Sequence, residues 1–111
     1  MHGIVSRMLR ARRSRRENGA GSLGTCFTRS DGILVAEAQG QTVLLRLSDG
    51  SYYALDEVGA LIWELCDGER SLQDIVTELC SQFEATERTV TADVIEFVGE
   101  LQREQLLVEA Q

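Results

Sequence analysis

Hydrophobic residues in the middle of the chain recur with a period of two. Residues 33–38 and 42–47 are short runs rich in β-forming residues, and every second side chain of the later run lies on one face. Asp49-Gly50 is a two-residue turn signal that leads into a third run at 51–55, because glycine adopts positive φ without a steric penalty. The pattern predicts three paired strands.

The spacing of hydrophobic residues then changes to that of a helix, and three helical segments follow one another. Asp56 is placed to cap a first helix that runs to Asp67, and a glycine follows. A weak capping box starts a second helix at Ser71, and Thr86 can cap a longer third helix that ends near Leu107. Three strands followed by three helices predict an α+β domain. The apolar stripes are Val58, Leu61, Ile62, Leu65 and Cys66; Leu72, Ile75, Val76, Leu79, Cys80 and Phe83; and Val90, Val94, Phe97, Val98 and Leu101.

Charge divides the 111 residues into two parts. Residues 1–29 carry seven arginines and one glutamate, a net charge of +6, and residues 30–111 carry four arginines and 17 carboxylates, a net charge of −13. We expect residues 1–30 to be a basic disordered tail with a glycine-rich linker, and 31–111 to be one folded domain. The tail is either a solvated segment or an arm for nucleic acid or anionic lipid.

The patterns of an enzyme are missing. His2 is the single histidine, and the spacing of Cys26, Cys66 and Cys80 is that of neither a zinc site nor a disulfide framework. No GxGxxG or GxxxxGK[ST] motif follows a predicted strand. We therefore expect no catalysis, no cofactor and no metal. Reduced thiols and the lack of an apolar run of about 18 residues indicate a cytoplasmic protein without a transmembrane segment.

Aromatic and acidic side chains have structural interpretations. Tyr52 and Tyr53 point to opposite faces of their strand, and parity alone does not say which of them joins the core. Trp63 lies at the border of its helical stripe, where we expect a half-buried structural residue. Four carboxylates follow one side of the third helix and are explained by a solvated face; they are Asp93, Glu96, Glu100 and Glu104.

The segment GSYYALDEVGALIWEL, from Gly50 to Leu65, resembles the PqqD-like family, together with the helix start at Ser71 and the final helix. The resemblance covers roughly residues 31–108, and YYxLDxxGxxIW is its specific part. Asp56 stands where the family often has asparagine, and both residues cap helices. The resemblance implies a winged helix-turn-helix-like domain with a three-stranded antiparallel sheet followed by three helices.

The same resemblance implies a function and a site. Family members are non-catalytic chaperones that recognise the leader of a ribosomally synthesised precursor peptide by strand addition. They present it to a radical S-adenosylmethionine enzyme, as in pyrroloquinoline quinone biosynthesis, or to another modifying enzyme. The peptide groove lies between the third strand and the third helix, where Ile95 has no evident role in the core. Its residues here are Tyr52, Tyr53, Ala54 and Leu55 on one wall, and Thr91, Val94, Ile95, Val98 and Gln102 on the other.

Two other functions share this architecture. A winged-helix regulator would place the third helix in a DNA groove, but that helix carries five carboxylates between 87 and 104 against Arg88 and Arg103. We therefore do not expect DNA to be a partner. A structural subunit that docks on a larger enzyme through the same sheet edge is not distinguished from a peptide chaperone by the sequence.

Overall fold

The computed structural model describes residues 23–110. Residues 1–22 of the basic tail and linker predicted for residues 1–30 therefore lie outside the described residues. The elements in chain order are β1 (Cys26–Arg29), β2 (Ile33–Ala38), β3 (Gln41–Arg46), β4 (Tyr52–Leu55), α1 (Glu57–Leu65), β5 (Asp67–Ser71), α2 (Leu72–Gln82), α3 (Glu87–Arg103) and β6 (Leu107–Glu109).

The three predicted strands form one antiparallel sheet in the order β2, β3, β4. Ala38 pairs with Gln41 across a two-residue turn in which Gln39 and Gly40 both have positive φ, at 54° and 81°. Such a turn matches the twist of the strands that it joins. The Asp49-Gly50 turn joins β3 to β4, with Gly50 at φ 77°. The predicted α+β class, with its three-stranded sheet and three helices, is confirmed.

A second three-stranded sheet, in the order β5, β1, β6, was not predicted. Thr28 of its central strand pairs with Asp67 on one side and with Val108 on the other. The Phe27 side chain is 1% exposed, so β1 belongs to the core. The folded part of the chain thus includes Cys26–Arg29, and the domain boundary expected near Asp31 was placed too late.

Two predicted helix ends were also placed too late. The first helix ends at Leu65 and not at Asp67, because Asp67–Ser71 forms β5 with Gly68 at φ 84°. The third helix ends at Arg103, and the stretch up to Leu107 turns into β6. In both cases pairing with β1 supplies the backbone hydrogen bonds that a longer helix would have provided.

The predicted helix starts are confirmed by hydrogen bonds. Asp56 Oδ1 accepts from the Gly59 N–H at 2.7 Å, and Thr86 Oγ1 accepts from the Thr89 N–H at 3.2 Å. Ser71 and Asp74 form a complete capping box, in which each side chain accepts from the other residue's backbone N–H. These side chains accept hydrogen bonds from backbone N–H groups that have no partner within the first turn of a helix.

One hydrophobic cluster joins both sheets to the three helices. The Trp63 side chain is 3% exposed, so the half-buried position expected for it was wrong. The Arg29 guanidinium lies 5.9 Å from the Trp63 ring centroid and donates to the Trp63 carbonyl oxygen at 2.9 Å. Cys66 is buried, and Cys80 is half-buried against the cluster. No helix within residues 23–110 is long and apolar enough to cross a membrane.

Phe27→Ala tests whether β1 is part of the domain. Removal of this buried ring should cost about 3–5 kcal/mol of unfolding free energy, because a cavity remains in the core. Urea denaturation measures the loss. Leu34→Ala is the matched control, since the Leu34 side chain is 54% exposed. Equal, small effects of the two substitutions would contradict a core position for β1.

The buried Cys66 thiol should make the stability of the protein depend on pH in the alkaline range. Burial raises the pKa of the Cys66 thiol from 9.0 to about 12. The neutral thiol's contribution to stability is therefore complete below the unfolded pKa and is lost as the pH rises from about 9 to about 12. The unfolding free energy should fall over this range, and the fall should be smaller in Cys66→Ala. Parallel curves for the two proteins would refute this assignment.

Candidate functional site

Strand β4 forms an edge of its sheet, because β3 is its only strand neighbour among the described residues. The Arg46 N–H donates to the Ser51 carbonyl oxygen at 2.8 Å, and Leu44 faces Tyr53 two residues further along. Hydrogen-bonded and non-bonded pairs alternate in an antiparallel ladder. The backbone N–H and C=O groups of Tyr52 and Ala54 therefore point away from β3, toward the open edge.

The side chains of β4 alternate between the core and the outer face. Tyr53 is 9% exposed and Leu55 is fully buried, whereas Tyr52 is 73% exposed. Ala54 is half-buried and shares the outer face with Tyr52. The structure thus shows that Tyr53, and not Tyr52, joins the core. Tyr53 and Leu55 anchor the strand, and β4 presents backbone N–H and C=O groups at its open edge.

A polar cluster joins β4 to the end of α3. The Tyr53 hydroxyl donates to Glu104 Oε1 at 2.9 Å, and Arg46 Nη1 donates to the Glu104 carbonyl oxygen. The Arg46 guanidinium also lies 5.6 Å from the Tyr53 ring centroid and forms an ion pair with Asp49 at 3.0 Å. Arg46 therefore contacts the β3–β4 turn, strand β4 and the residue that caps α3.

The charges and burial of this cluster shift the pKa values of its side chains. Burial and the Glu104 carboxylate raise the pKa of Tyr53. The hydrogen bond from Arg46 holds the pKa of the Asp49 carboxyl well below its usual range, and the Asp49 carboxylate in turn raises the pKa of Arg46. At neutral pH the tyrosine is protonated and the Arg46–Asp49 pair is ionised, as the observed hydrogen bonds require.

The predicted residues of α3 are placed in different environments. Val94 and Val98 are fully buried, so their side chains support the helix wall from the core side. Ile95 packs against the hydrophobic cluster, which contradicts the expectation that it has no role in the core. Thr91 and Gln102 are half-buried, and Gln102 Oε1 is a buried atom without a hydrogen-bond partner.

Sequence reasoning assigned no role to Arg46 and assigned Glu104 to a solvated face. The sequence did not show the position of Arg46, because alternation sets Val43, Leu45 and Leu47 on one face and Arg46 with Leu44 on the other, and only the structure shows that Leu44 is buried. A charged side chain on the core face requires hydrogen-bonding partners. The identity of those partners depends on the tertiary arrangement of α3, which the sequence pattern does not give.

The arrangement suits recognition of a backbone by hydrogen bonding. Within residues 23–110 no three His, Cys, Asp or Glu side chains group in a way that could hold a metal ion. The buried Cys66 has a raised pKa, which disfavours the reactive thiolate. The backbone groups of Tyr52 and Ala54 at an open sheet edge are what defines this class of small α+β domain, which can accept an extended peptide as an additional strand.

The comparison with family models identifies the family. Residues 41–107 match the model described as "Coenzyme PQQ synthesis protein D (PqqD)". The chain belongs to the PqqD family, as its YYxLDxxGxxIW segment led us to expect.

Curated relatives carry the name "PqqA binding protein". The one from Xanthomonas oryzae pv. oryzae (strain PXO99A) is 42% identical over 53 residues, which are 48% of this chain and 58% of the relative. The one from Bradyrhizobium diazoefficiens is 33% identical over 57 residues, which are 51% of this chain and 55% of the relative. The chain thus spans little more than half the length of these relatives.

Two solved structures share the fold. "TbiB1 in Complex with the TbiA(beta) Leader Peptide" has a TM-score of 0.66 and 32% identity, and the match covers 72% of this chain and 93% of that chain. "Lasso peptide synthetase B1 complexed with the leader peptide" has a TM-score of 0.68 and 26% identity, with 74% and 96% covered. The likeness extends over nearly the whole of both neighbours.

Asp56→Ala tests the cap that follows β4. Loss of the hydrogen bond to the Gly59 N–H should lower the unfolding free energy by about 1 kcal/mol, since the part-buried start of α1 loses one acceptor. Thermal or urea denaturation measures the change. Asp56→Asn should retain most of the stability, because asparagine is an equally good cap. A loss of similar size in both variants would show that charge, and not capping, matters at position 56.

Proposed function

We propose that this protein is a non-catalytic peptide chaperone. It binds the leader of a ribosomally synthesised precursor peptide as an added strand on β4, and it presents that peptide to a modifying enzyme, such as a radical S-adenosylmethionine enzyme. The single observation that carries the proposal is the open edge of β4, where the backbone groups of Tyr52 and Ala54 point away from β3. The proposal places the protein in the cytoplasm, where precursor peptides are made.

The comparisons support this function from two directions. The curated relatives are named for binding PqqA, and both structural neighbours are complexes with a leader peptide. These ligands belong to those proteins. Because this chain has the same fold and an open edge at β4, we transfer the class of ligand, an extended leader peptide, and leave the particular precursor unnamed.

The expected affinity follows from the backbone groups at the edge. Tyr52 and Ala54 each offer one N–H and one C=O, which allows four hydrogen bonds to a guest strand. At about 1 kcal/mol net for each bond, together with a few buried side chains and less the cost of ordering the peptide, the affinity is micromolar to submicromolar. Binding of this strength is reversible, as delivery of a substrate to an enzyme requires.

The structure gives no support to DNA binding through α3. The exposed positions of this helix include Glu87 and Glu96, and Glu104 at its end is engaged with Tyr53. Arg88 and Arg103 are the two cations of the helix. A net negative helix repels phosphates and releases few counterions, so it would contribute little to nucleic-acid affinity.

Ala54→Pro tests strand addition at β4. Proline removes the N–H group that points to the open edge, and it cannot donate in a ladder. Two probes are suitable: the TbiA(beta) leader peptide and PqqA, each titrated into isotope-labelled protein. We expect NMR shifts at Tyr52–Leu55 and α3 with the wild type, and affinity at least about tenfold lower in the variant.

Val35→Pro is the matched control on the opposite edge of the sheet. The Leu47 N–H donates to the Gly32 carbonyl oxygen at 2.9 Å, so by alternation the Val35 N–H points away from β3 at the free edge of β2. Val35→Pro should leave peptide affinity unchanged. Circular dichroism and the NMR spectrum report whether each variant is folded. Unchanged affinity in a folded Ala54→Pro variant, or no binding of either probe by the wild type, would refute the proposal.

A further inference from the structure

The outer face of the β2–β4 sheet carries two apolar rows that cross all three strands. Cross-strand partners have their side chains on the same face of a sheet, so the register defines the rows. One row is Leu34, Leu45 and Tyr52, and the other is Ala36, Val43 and Ala54. Each row ends at the open edge of β4, at one of the two residues whose backbone groups point away from β3.

This outer face has the composition of a buried surface. The charged residues of the three strands are Glu37 and Arg46, and both have the inward parity, so within these strands no charged side chain lies on the outer face. An antiparallel sheet with one face in water normally alternates apolar inward and polar outward residues. Here Leu34 and Tyr52 are apolar, outward and mostly exposed. A contiguous apolar face of this kind indicates a binding surface.

The protein's own core does not cover the outer face. From β3 and β4 the hydrophobic cluster takes in Leu44, Tyr53 and Leu55, which all lie on the inward side. Within residues 23–110, none of the six row residues belongs to that cluster or packs against it. The face is therefore open to another chain.

A second copy of this chain suits the outer face poorly. Strands of six residues, set about 4.8 Å apart in a three-stranded sheet, present roughly 300 Å², whereas a stable interface takes about 800 Å² from each partner. Residues 23–110 also carry five arginines and 17 carboxylates, a net charge of −12, so two such domains repel each other. A guest strand on β4, in contrast, would lie where both rows end and would continue them.

We propose that the outer face beside β4 is a side-chain subsite of the peptide site, and that it takes leader segments with β-branched or aromatic residues at two alternate positions. This inference rests on the proposed function, since it assumes a guest strand on β4. The guest residues opposite Tyr52 and Ala54 would have their side chains on the outer face. The subsite consists of these two residues, with Val43 and Leu45 behind them on β3.

The chemistry of the subsite sets the class of peptide. Aromatic and β-branched side chains form favourable cross-strand pairs, and the Tyr52 ring offers such a partner at the edge. A charged guest residue would lose hydration there without finding an opposite charge on the outer face of these strands. Because the contacts are apolar, the preference should not decline as ionic strength rises, unlike one that depends on ion pairs.

The test uses two capped, uncharged nine-residue peptides, one of alternating threonine and valine and the other of threonine alone. Valine and threonine are both β-branched and have nearly the same shape, so the peptides differ in the replacement of methyl groups by hydroxyls. Each is titrated into full-length wild type, Tyr52→Thr, Tyr52→Phe and Leu34→Thr, with NMR shifts at Tyr52 and Ala54 as the readout. Leu34→Thr is the matched control, because Leu34 is an exposed member of the same row on β2, two strands away from the guest.

We expect the wild type to bind the valine peptide about tenfold more tightly at low and at high salt, which two cross-strand pairs can supply. Tyr52→Thr should remove most of this preference, whereas Tyr52→Phe and Leu34→Thr should retain it. Intermolecular NOEs should join the valine methyl groups to the Tyr52 ring and the Ala54 methyl group.

Four results would overturn the subsite while strand addition stands. They are an unchanged preference in Tyr52→Thr, an equal loss in Leu34→Thr, valine NOEs confined to the inward residues Tyr53 and Leu55, and NOEs in the free protein that place a second copy or residues 1–22 on the outer face. No shift at Tyr52 and Ala54 with either peptide overturns the proposed function as well. Circular dichroism reports whether each variant is folded.

Discussion

Strand β4 has two roles: it is anchored in the core, and it presents backbone groups at the open edge of the sheet. The alternation of its side chains between two faces makes both possible. Tyr53 and Leu55 are buried in the core, and the same two residues lie at the positions that bond to β3. Their burial fixes the strand in place while Tyr52 and Ala54 keep their backbone groups at the edge. The core thus positions the site, since a shift of one residue would expose Tyr53 and bury Tyr52.

Arg46, a charged residue on the core face of β3, holds the end of α3 against the sheet. Arg46 has the inward parity of Leu44, and a guanidinium there requires partners. It finds them in Asp49, in the Tyr53 ring and in the Glu104 carbonyl oxygen. These contacts stabilise the end of α3, where unpaired carbonyl groups attract a cation, and they hold the helix beside β4.

The sequence was informative wherever the signal is local. Asp56, Ser71 and Thr86 cap the helices as predicted, and the turn signals gave the β2–β4 sheet, because each depends on neighbours a few residues away. The second sheet was missed, since β1 pairs with residues some 40 and 80 positions later, as in Thr28 with Asp67 and Val108. The predicted helix wall of Thr91, Val94, Ile95, Val98 and Gln102 came from the family resemblance, because the sequence pattern does not orient α3 against β4. In the structure, Tyr53 and Arg46 contact Glu104 at the end of the helix.

The central position of β1 between β5 and β6 constrains the order in which the chain can fold during synthesis. The β2–β4 sheet is built from adjacent hairpins and can form as soon as Leu55 has left the ribosome. The sheet around β1 needs Leu107–Glu109, near the end of the described chain, and until then one side of β1 has no partner. The sheet around β1 is therefore completed later than the β2–β4 sheet, once Leu107–Glu109 has been made and can pair with Phe27–Arg29.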